Sequence, residues 1–499
     1  MGVPKTLGIE TEYGIVLRGA EEPNPISASS MLINSFLTVR SPESAPRVSW
    51  DFEDESPARD ARGSTPLHAL APEIETHLVN AVLTNGSRYY VDHAHPEYST
   101  PECADARSVV VHDRAGEEIL VESMAAAASM LPDDQEIVVY KNNSDGKGNS
   151  YGCHENYLMD RSTPFGQIVS HGTAHLITRQ IFTGAGKVGT ELPGLNRDEV
   201  TFQITQRADF FEEPVGLETT LKRPIINTRD EPHADARKYR RLHVIAGDAN
   251  MSEIATYLKV GSTAIVLAMV EHEEISDEWA FADPVRAMHE ISIDLNLDKP
   301  LELKDGRTVR AIEVQEALVA DAHRFIERHG TEEIGGDVAL DVLARWEATL
   351  GGLRRDWTEL SSTLDWVAKH QLLDAYRDRH DLSWSDARLL AMDIQYHDMR
   401  PERSLARRLG LETLAPDDEV RSAMTDPPEE TRAYFRGECL RKWGQHIVAA
   451  NWDSIVFDVG VDPLRRVPMM EPTRGTRQHV GAVLEECATP LELVERLNR

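Results

Sequence analysis

The order of the predicted elements constrains the fold more than any other feature of this 499-residue chain. Segments in which apolar and polar residues alternate, typical of half-buried strands, fill the first half, and segments with helical periodicity fill the second. Strands are predicted at 7–17, 87–93, 135–140, 199–206, 222–229 and 239–246, and helices at 117–131, 165–182, 252–272, 311–329, 337–354, 360–377 and 384–396. Strands followed by helices predict the α+β class, with an antiparallel sheet covered on one face.

Two proline-containing stretches interrupt this order. From 41 to 66, prolines alternate with carboxylates, which predicts a mobile acidic loop that buries little and breaks regular structure. A helix is predicted after it at 72–83. Asp426-Pro427-Pro428 predicts a linker, and a long helix to about Ala450, a strand at 453–458 and a final helix follow. We therefore predict one large domain at 1–426 and a small C-terminal α/β domain at 427–499.

Charge narrows the possible partners. The chain has 53 Lys and Arg against 84 Asp and Glu, a formal net charge of −31 at pH 7, which argues against a basic surface that binds nucleic acid. We also expect no membrane partner, because no stretch approaches the roughly 18 apolar residues that a span needs. There is no apolar signal segment, and the four cysteines are widely spaced. These features predict a cytoplasmic protein.

The strongest candidate site is acidic and begins on the first strand. Glu10 and Glu12 are separated by one residue, so both carboxylates face the same side of a strand. Two like charges on one face repel unless a cation lies between them, and oxygen ligands suit Mg²⁺. The alternative is that both carboxylates are solvated on an exposed face.

Two further strands carry polar residues at the same spacing. Arg88, Tyr90 and Asp92 alternate on one strand, and Glu97 follows the turn after it. If residues 151–156 are extended, His154 and Asn156 also share a side. A lone histidine is usually structural, but three polar clusters on three strands predict a common functional face.

The later strands add cations that could bind phosphate oxygens by bidentate hydrogen bonds. These residues are Arg207, Arg223, Arg229, Arg240 and Arg241. Near the C-terminus, Trp452 could stack on a base, or it could pack between the two domains. Taken together, the clusters predict a sheet face that binds a magnesium nucleotide.

Two familiar motifs are present but lack their usual context. Gly184, Gly186 and Gly189 satisfy GxGxxG, yet they follow a predicted helix and precede none, so a dinucleotide fold is not expected. Gly148 to Gly152 satisfies GxSxG around Ser150. A long polar turn separates Ser150 from the preceding strand, which disfavours a serine hydrolase.

Several long motifs resemble one known family. They are GIETEYG at 8–14, DHAHPEYSTPE at 92–102, SYGCHENYL at 150–158, TLKRPIINTRDEPHAD at 220–235 and RRLHVIAGDAN at 240–250. The chain is similar to the family of Pup (prokaryotic ubiquitin-like protein) ligases and Pup deamidases/depupylases. This resemblance implies a fold like that of glutamine synthetase. The acidic insertion and the short Asp92–Glu97 segment resemble the deamidase/depupylase branch more than the ligase branch.

The resemblance also implies roles for individual residues. Glu10, Tyr90 and Glu97 would lie at Mg²⁺ positions, although a neutral phenol is a poor ligand for a hard cation and Tyr90 could act through a water. Arg88, Thr100 and Trp452 would lie at ATP positions, and Asp92 would be the catalytic carboxylate. His154, Asn156 and Arg241 would contact metal or phosphates.

The reaction implied is hydrolysis of the side-chain amide of Pup's C-terminal glutamine and of the isopeptide bond in pupylated proteins, with Mg-ATP as cofactor. Asp92 would act as nucleophile or as general base. The alternative is the ligase, which would form the isopeptide bond through a γ-glutamyl phosphate. A small-molecule glutamate-amine ligase and a non-catalytic Pup-binding adaptor are further alternatives. We also expect a local basic groove for Pup and a gating role for the acidic loop.

Overall fold

The protein is described by a computed structural model that covers residues 2–40, 48–53, 55–56, 58–63, 78–196, 199–275 and 279–497. The strands are β1 (Leu7–Glu12), β2 (Gly14–Arg18), β3 (Ser49–Trp50), β4 (Asn80–Val82), β5 (Arg88–Asp92), β6 (His95–Ser99), β7 (Glu136–Tyr140), β8 (Cys153–Asp160), β9 (Lys187–Val188), β10 (Phe202–Gln203), β11 (Phe211–Gly216), β12 (Arg223–Asn227), β13 (Tyr239–Gly247), β14 (Leu301–Glu302), β15 (Thr308–Val309), β16 (Ile447–Ala450), β17 (Ser454–Phe457) and β18 (Arg465–Pro468).

The helices lie mostly in the second half of the chain. They are α1 (Pro25–Arg40), α2 (Ala106–Ala128), α3 (Phe165–Thr178), α4 (Gln180–Thr183), α5 (Glu253–Glu271), α6 (Pro284–Ser292), α7 (Ala311–His329), α8 (Asp337–Asp356), α9 (Asp365–His380), α10 (Ala387–Tyr396), α11 (Leu405–Leu409), α12 (Asp417–Ala423), α13 (Arg432–Trp443), α14 (Arg477–Glu486) and α15 (Pro490–Leu497). The predicted α+β class is confirmed.

A ten-stranded sheet organises the molecule. Its strand order is β13-β8-β1-β6-β5-β4-β3-β16-β17-β18, and every neighbouring pair is antiparallel except β3 with β16. Burial alternates along β1, where Leu7, Ile9 and Thr11 are buried while Glu10 and Glu12 lie on the opposite, partly exposed face. The sheet therefore presents one apolar face to helices and leaves the other for polar side chains.

Helix α5 lies at the centre of the helical layer. Ser252 caps its first turn by accepting a hydrogen bond from Ala255 N. A Cβ at Gly261 would overlap the Val342 side chain, so glycine allows α5 and α8 to approach closely. In the part of the chain that the structure describes, α5 alone is long and apolar enough to cross a membrane, and its apolar window is wholly buried in the core. The expectation that no stretch approaches that length was wrong for α5.

Most of the C-terminal apolar side chains belong to one hydrophobic cluster, built around Phe435, Leu440, Trp443, Phe457 and Leu493. The same cluster includes Trp50 of β3, and strands β16 to β18 extend the main sheet through β3. The boundary between 1–426 and 427–499 stays a prediction.

Several element predictions were wrong. The strand predicted at 7–17 is two strands, because the chain breaks at Tyr13, whose ring is fully buried. Residues 80–82 of the helix predicted at 72–83 form β4 and pair with β5, while residues 72–77 lie outside the described residues. The helix predicted to reach Ala450 ends at Trp443, since residues 447–450 pair with β17. Helix α1 was not predicted.

The predicted acidic loop also departs from expectation where it is described. Residues 49 and 50 form β3 inside the main sheet, and Val48, Trp50, Asp51 and Asp60 are buried. The expectation that this stretch buries little was therefore wrong for these residues. Residues 41–47, 54, 57 and 64–66 of the predicted loop lie outside the described residues.

Candidate active site

The candidate site lies on the polar face of the sheet, across β1, β5, β6, β8 and β13. Register places Glu10 opposite Ser99 and His154, and Ser99 opposite Arg88, so these four residues form one row across the sheet. Alternate residues of each strand share this face. The side chains gathered there are Glu10, Glu12, Arg88, Tyr90, Asp92, Glu97, Ser99, His154, Asn156, Arg241 and His243.

Beside this row lie three carboxylates, which we call the carboxylate trio: Glu12 and Glu97, which are opposite each other, and Asp92, which is opposite His95. Their ligand oxygens all lie within 4.8 Å of one another. Burial and the nearby carboxylates of Asp92 and Glu12 raise the pKa of Glu97 well above its ordinary value. Burial also opposes ionisation of Asp92, but contacts with His93 outweigh it and lower the pKa of Asp92. Asp92 is therefore ionised at neutral pH, beside a carboxyl group that tends to keep its proton.

Glu10 is surrounded by nitrogen groups. Asn156 Nδ2 donates to Glu10 Oε1 at 2.9 Å, and His154 Nδ1 lies 3.7 Å from Glu10 Oε2. Asn156 Oδ1 accepts from Arg241 Nη1 at 2.9 Å and lies 3.0 Å from His243 Nδ1. Burial alone would raise the pKa of Glu10, but contacts with His154, His243 and Arg241 outweigh burial and lower it. Glu10 therefore remains a carboxylate and can serve as an oxygen ligand.

These donor sets fit a divalent cation. The carboxylate trio offers the oxygen donors that Mg²⁺ prefers, and a bound cation would favour the ionised form of Glu97, whose pKa is raised first by burial and then by Asp92 and Glu12. A second group, Glu10 with His154 and His243, mixes one carboxylate with two imidazoles, a set more typical of transition metals. Burial and Arg241 lower the pKa of His243 well below its ordinary value, so its ring is neutral, as a metal ligand must be.

A cavity adjoins the first row and contains most residues predicted to contact ATP. Its lining includes Glu10, Ser99, Thr100, Asn156, Arg241, Arg432 and Trp452. Gly8 also lines the cavity, and a Cβ at this position would lie 3.3 Å from Thr100 Oγ1. Glycine therefore leaves space in the cavity next to the Thr100 hydroxyl. Thr100 Oγ1 accepts a hydrogen bond from Ile9 N at 3.1 Å. The Thr100 hydroxyl thus links β1 to the residue that follows β6, and its own proton remains available to a ligand.

Arginines surround the carboxylates. Burial and the neighbouring Arg241 lower the pKa of Arg229, and among the described residues Arg229 Nε has no hydrogen-bond partner. Burial and Arg223 lower the pKa of Arg207 to about 10. Arg240 lies on the other face of β13 and donates to Thr163 O at 3.1 Å, so it points away from the site.

The structure brings the predicted site residues together, while their individual roles stay predictions. No role was predicted for His243 or Ser99, and Glu12 was not among the ligands that the resemblance implies. The period of two had already paired Glu12 with Glu10, and Ser99 follows Glu97 at the same period, which was the signal that could have identified Ser99. His243 could be found only through its pairing with Asn156 across β13 and β8.

The two familiar motifs carry no site of their own. Gly184 ends α4 in extended backbone, and no helix begins at Gly189. Ser150 is followed by strand β8 and not by a helix, so it lacks the strand-turn-helix geometry of a nucleophilic serine.

Residues 5–456 match the family model described as Pup-ligase protein. The chain belongs to this family. It is 51% identical to the depupylase of Acidothermus cellulolyticus and 45% identical to the Pup deamidase/depupylase of Mycobacterium tuberculosis, with 99% of both chains covered in each comparison. It is 43% identical to the Pup–protein ligase of Kineococcus radiotolerans, over 72% of this chain and 80% of that protein.

Solved structures of this family share the fold. The Pup ligase PafA in its complex with Pup superposes with a TM-score of 0.80 at 30% identity, over 99% of this chain and 95% of PafA. PafA in complex with ADP gives a TM-score of 0.73 at 34% identity, over 81% of this chain and 89% of that one.

Proposed function

We propose that this protein hydrolyses the side-chain amide of the C-terminal glutamine of Pup and the isopeptide bond that joins Pup to a lysine of a pupylated protein. The observation that carries this function is the full-length identity, 51% and 45%, to relatives named depupylase and Pup deamidase/depupylase. Both substrates contain a carboxamide carbon bonded to nitrogen, so one site can serve both reactions.

Asp92 carries the chemistry in this proposal. Its carboxylate is ionised at neutral pH because contacts with His93 lower its pKa. It either attacks the carbonyl carbon to form an anhydride or removes a proton from an attacking water. In the first route the C–N bond breaks as the anhydride forms, the nitrogen takes up a proton and leaves as ammonia or as the lysine amine, and a water then hydrolyses the anhydride and frees Asp92. In the second route the water adds to the carbonyl carbon, and the nitrogen leaves from the tetrahedral intermediate with the proton that Asp92 removed from the water.

The proposed cofactors are Mg²⁺ and ATP. We place Mg²⁺ at Glu10, Glu97 and, through a water, Tyr90, with Glu12 as a further ligand. Burial and Glu97 raise the pKa of Tyr90 well above its ordinary value, so the phenol is neutral. The nucleotide positions are Arg88, Thr100, His154, Asn156, Arg241 and Trp452. When bound, the metal nucleotide supplies positive charge near the developing oxyanion. Amide hydrolysis is downhill in water, so ATP is not needed as an energy source.

Pup and pupylated proteins are the proposed partners. Arg207 and Arg223 lie near Glu12, and burial lowers the pKa of both, so a carboxylate partner would relieve the cost of burying these cations. We place a local basic groove at 207–241, where an acidic Pup segment binds by ion pairs and apolar contacts. Charge reversal by Arg223→Glu should weaken Pup binding, and unchanged Pup affinity would place the groove elsewhere.

A cytoplasmic location is proposed with this function. The four cysteines are buried and unpaired, which suits a reducing compartment.

Trapping of Asp92 tests the catalytic assignment. Pup that ends in an electrophilic glutamine analogue should form a covalent adduct located at Asp92 by mass spectrometry if Asp92 is the nucleophile. Wild-type rates of deamidation and depupylation in Asp92→Asn would remove Asp92 from both roles.

Ligase activity is the second candidate, because the solved PafA structures share the fold and the ligase of Kineococcus radiotolerans is 43% identical. A ligase requires Pup ending in glutamate and releases ADP in step with conjugation. Conjugation of Pup to a lysine, with one ADP released per bond, would support this candidate against hydrolysis.

A further inference from the structure

The guanidinium group of Arg88 lies between two aromatic rings. Its Cζ is 3.9 Å from the ring centroid of Trp50 and 3.8 Å from that of Tyr90. Its Nε donates to Asn80 Oδ1 at 2.9 Å. Among the described residues, neither Nη1 nor Nη2 of Arg88 donates a hydrogen bond. Protein groups therefore occupy both faces and the Nε–H of the guanidinium, and the two terminal nitrogens remain for a ligand.

Ser99 places a hydroxyl beside this guanidinium. It lies opposite Arg88 on one neighbouring strand and opposite Glu10 on the other. Ser99 is 2% exposed and lines the cavity, yet its Oγ has no hydrogen-bond partner among the described residues. An unpaired buried hydroxyl is costly. Ser99 is therefore a second donor that a ligand in this cavity could satisfy.

Trp50 comes from the segment predicted as an acidic loop and is itself held in place. Its Nε1 donates to Glu55 Oε1 at 2.6 Å, and its ring lies edge-on to Trp452 with centroids 5.3 Å apart. Arg436 Cζ lies 5.0 Å from the Trp452 ring centroid. Cations and rings thus form an unbroken series of contacts, which we call the cation–aromatic ladder: Arg436, Trp452, Trp50, Arg88 and Tyr90. The ladder connects the C-terminal cluster to the site through Trp50, which belongs to the predicted acidic loop, called the inserted segment below.

We propose that Trp50 and Asn80 are positioning residues that aim the terminal nitrogens of Arg88 at the phosphate oxygens of the bound nucleotide, and that Ser99 donates to the same phosphate group. The inference rests on the proposed nucleotide cofactor. Arginine binds phosphate best through two parallel hydrogen bonds, and a guanidinium that is already oriented loses less entropy when the ligand binds. The inserted segment therefore forms part of the nucleotide site itself.

Calorimetric titration of the full-length enzyme with Mg-ADP tests this inference. Asn80→Ala, Ser99→Ala and Trp50→Leu should each weaken binding about 10-fold, while Trp50→Phe, which keeps an aromatic face, should stay within about 3-fold. Trp443→Leu is the matched control, since Trp443 lies in the same hydrophobic cluster without contacting Arg88. Its affinity should be that of the wild type.

A double-mutant cycle separates positioning from general damage. If Trp50 acts through Arg88, Trp50→Leu should weaken binding no further in an Arg88→Met background. Three results would overturn the inference. The losses of affinity in Trp50→Leu and Arg88→Met could prove additive, or Trp50→Leu and Trp443→Leu could lose affinity equally. Asn80→Ala and Ser99→Ala could also bind Mg-ADP as tightly as the wild type. Asn80→Ala keeps the test valid if Trp50→Leu fails to fold. Wild-type enzyme that binds no nucleotide would refute the proposed cofactor, whereas unaffected variants of a nucleotide-binding enzyme would refute this inference alone.

Discussion

Replacing Glu102 by glutamine should loosen the C-terminal cluster from the sheet. Glu102 Oε1 accepts from Arg432 Nε at 2.7 Å, and its carboxylate also pairs with Arg436. The Glu102 side chain is 13% exposed, and those of Arg432 and Arg436 are 4% and 0% exposed. Arg436 also contacts the Trp452 ring as the outer member of the cation–aromatic ladder. The substitution should therefore change the position of Trp452 as well as lower the stability of the fold.

The magnitude follows from the pKa of Glu102. Burial alone would raise it, but Arg436 and Arg432 outweigh burial and lower the pKa from an ordinary 4.5 to about 2. At about 1.4 kcal/mol per pKa unit, this shift corresponds to about 3 kcal/mol of stabilisation at neutral pH. Since the folded pKa is depressed, this stabilisation is present above pH 4.5 and is lost as the pH falls toward 2. About 1 kcal/mol of it should be gone by pH 4.

Urea unfolding followed by the fluorescence of the C-terminal tryptophans measures this effect. Glu102→Gln should lower the free energy of unfolding by about 3 kcal/mol at pH 7, because it leaves two buried guanidinium groups without a counter-charge. The difference from the wild type should shrink at pH 4. Glu429→Gln, which removes the exposed partner of Arg477, is the control and should change stability little. Equal stability of Glu102→Gln and wild type at pH 7, or a difference independent of pH, would refute the reasoning.

Three further predictions concern the site. Asp92→Asn should lower ammonia release by about 10³-fold or more without changing the melting temperature; retained turnover would contradict it. In Gly152→Ala the added Cβ would overlap the His154 ring, so kcat should fall. Gly166→Ala is the control, because no atom lies near the added Cβ, and it should keep the wild-type kcat. Mg²⁺ should raise the melting temperature more as the pH increases, because Glu97, whose pKa is raised by burial and by Asp92 and Glu12, must lose a proton to bind metal. Glu97→Gln should abolish this pH dependence, and a rise that is the same at every pH in wild type would count against the carboxylate site.

Local patterns predicted the polar face of the sheet well. A period of two places Glu10 with Glu12 on one side of β1 and Arg88 with Asp92 on one side of β5, and the register through β6 brings the two pairs to the same face. The α+β class followed in the same way from strands that precede helices. These features depend on residues close together in the chain, so the sequence is enough to predict them.

Contacts between distant segments could not be predicted. Residues 106–116 contain valines and Gly116, which disfavour a helix locally, yet α2 begins at Ala106, with Asp105 as its N-cap. A Cβ at Gly116 would overlap the Tyr98 ring, so glycine is needed where the helix meets the sheet. Trp50 looked like part of a solvated loop, and contacts with distant residues bury it: β3 pairs with β16, and the Trp50 ring packs in the C-terminal hydrophobic cluster.

Ammonia release from Pup that ends in glutamine tests the proposed hydrolase most directly. Enzyme with Mg-ATP should release one ammonia per Pup over many turnovers, with far less ADP than ammonia, and should release none without nucleotide. Absence of ammonia, together with conjugation of Pup ending in glutamate to a lysine and one ADP per conjugate, would contradict hydrolysis and establish the ligase.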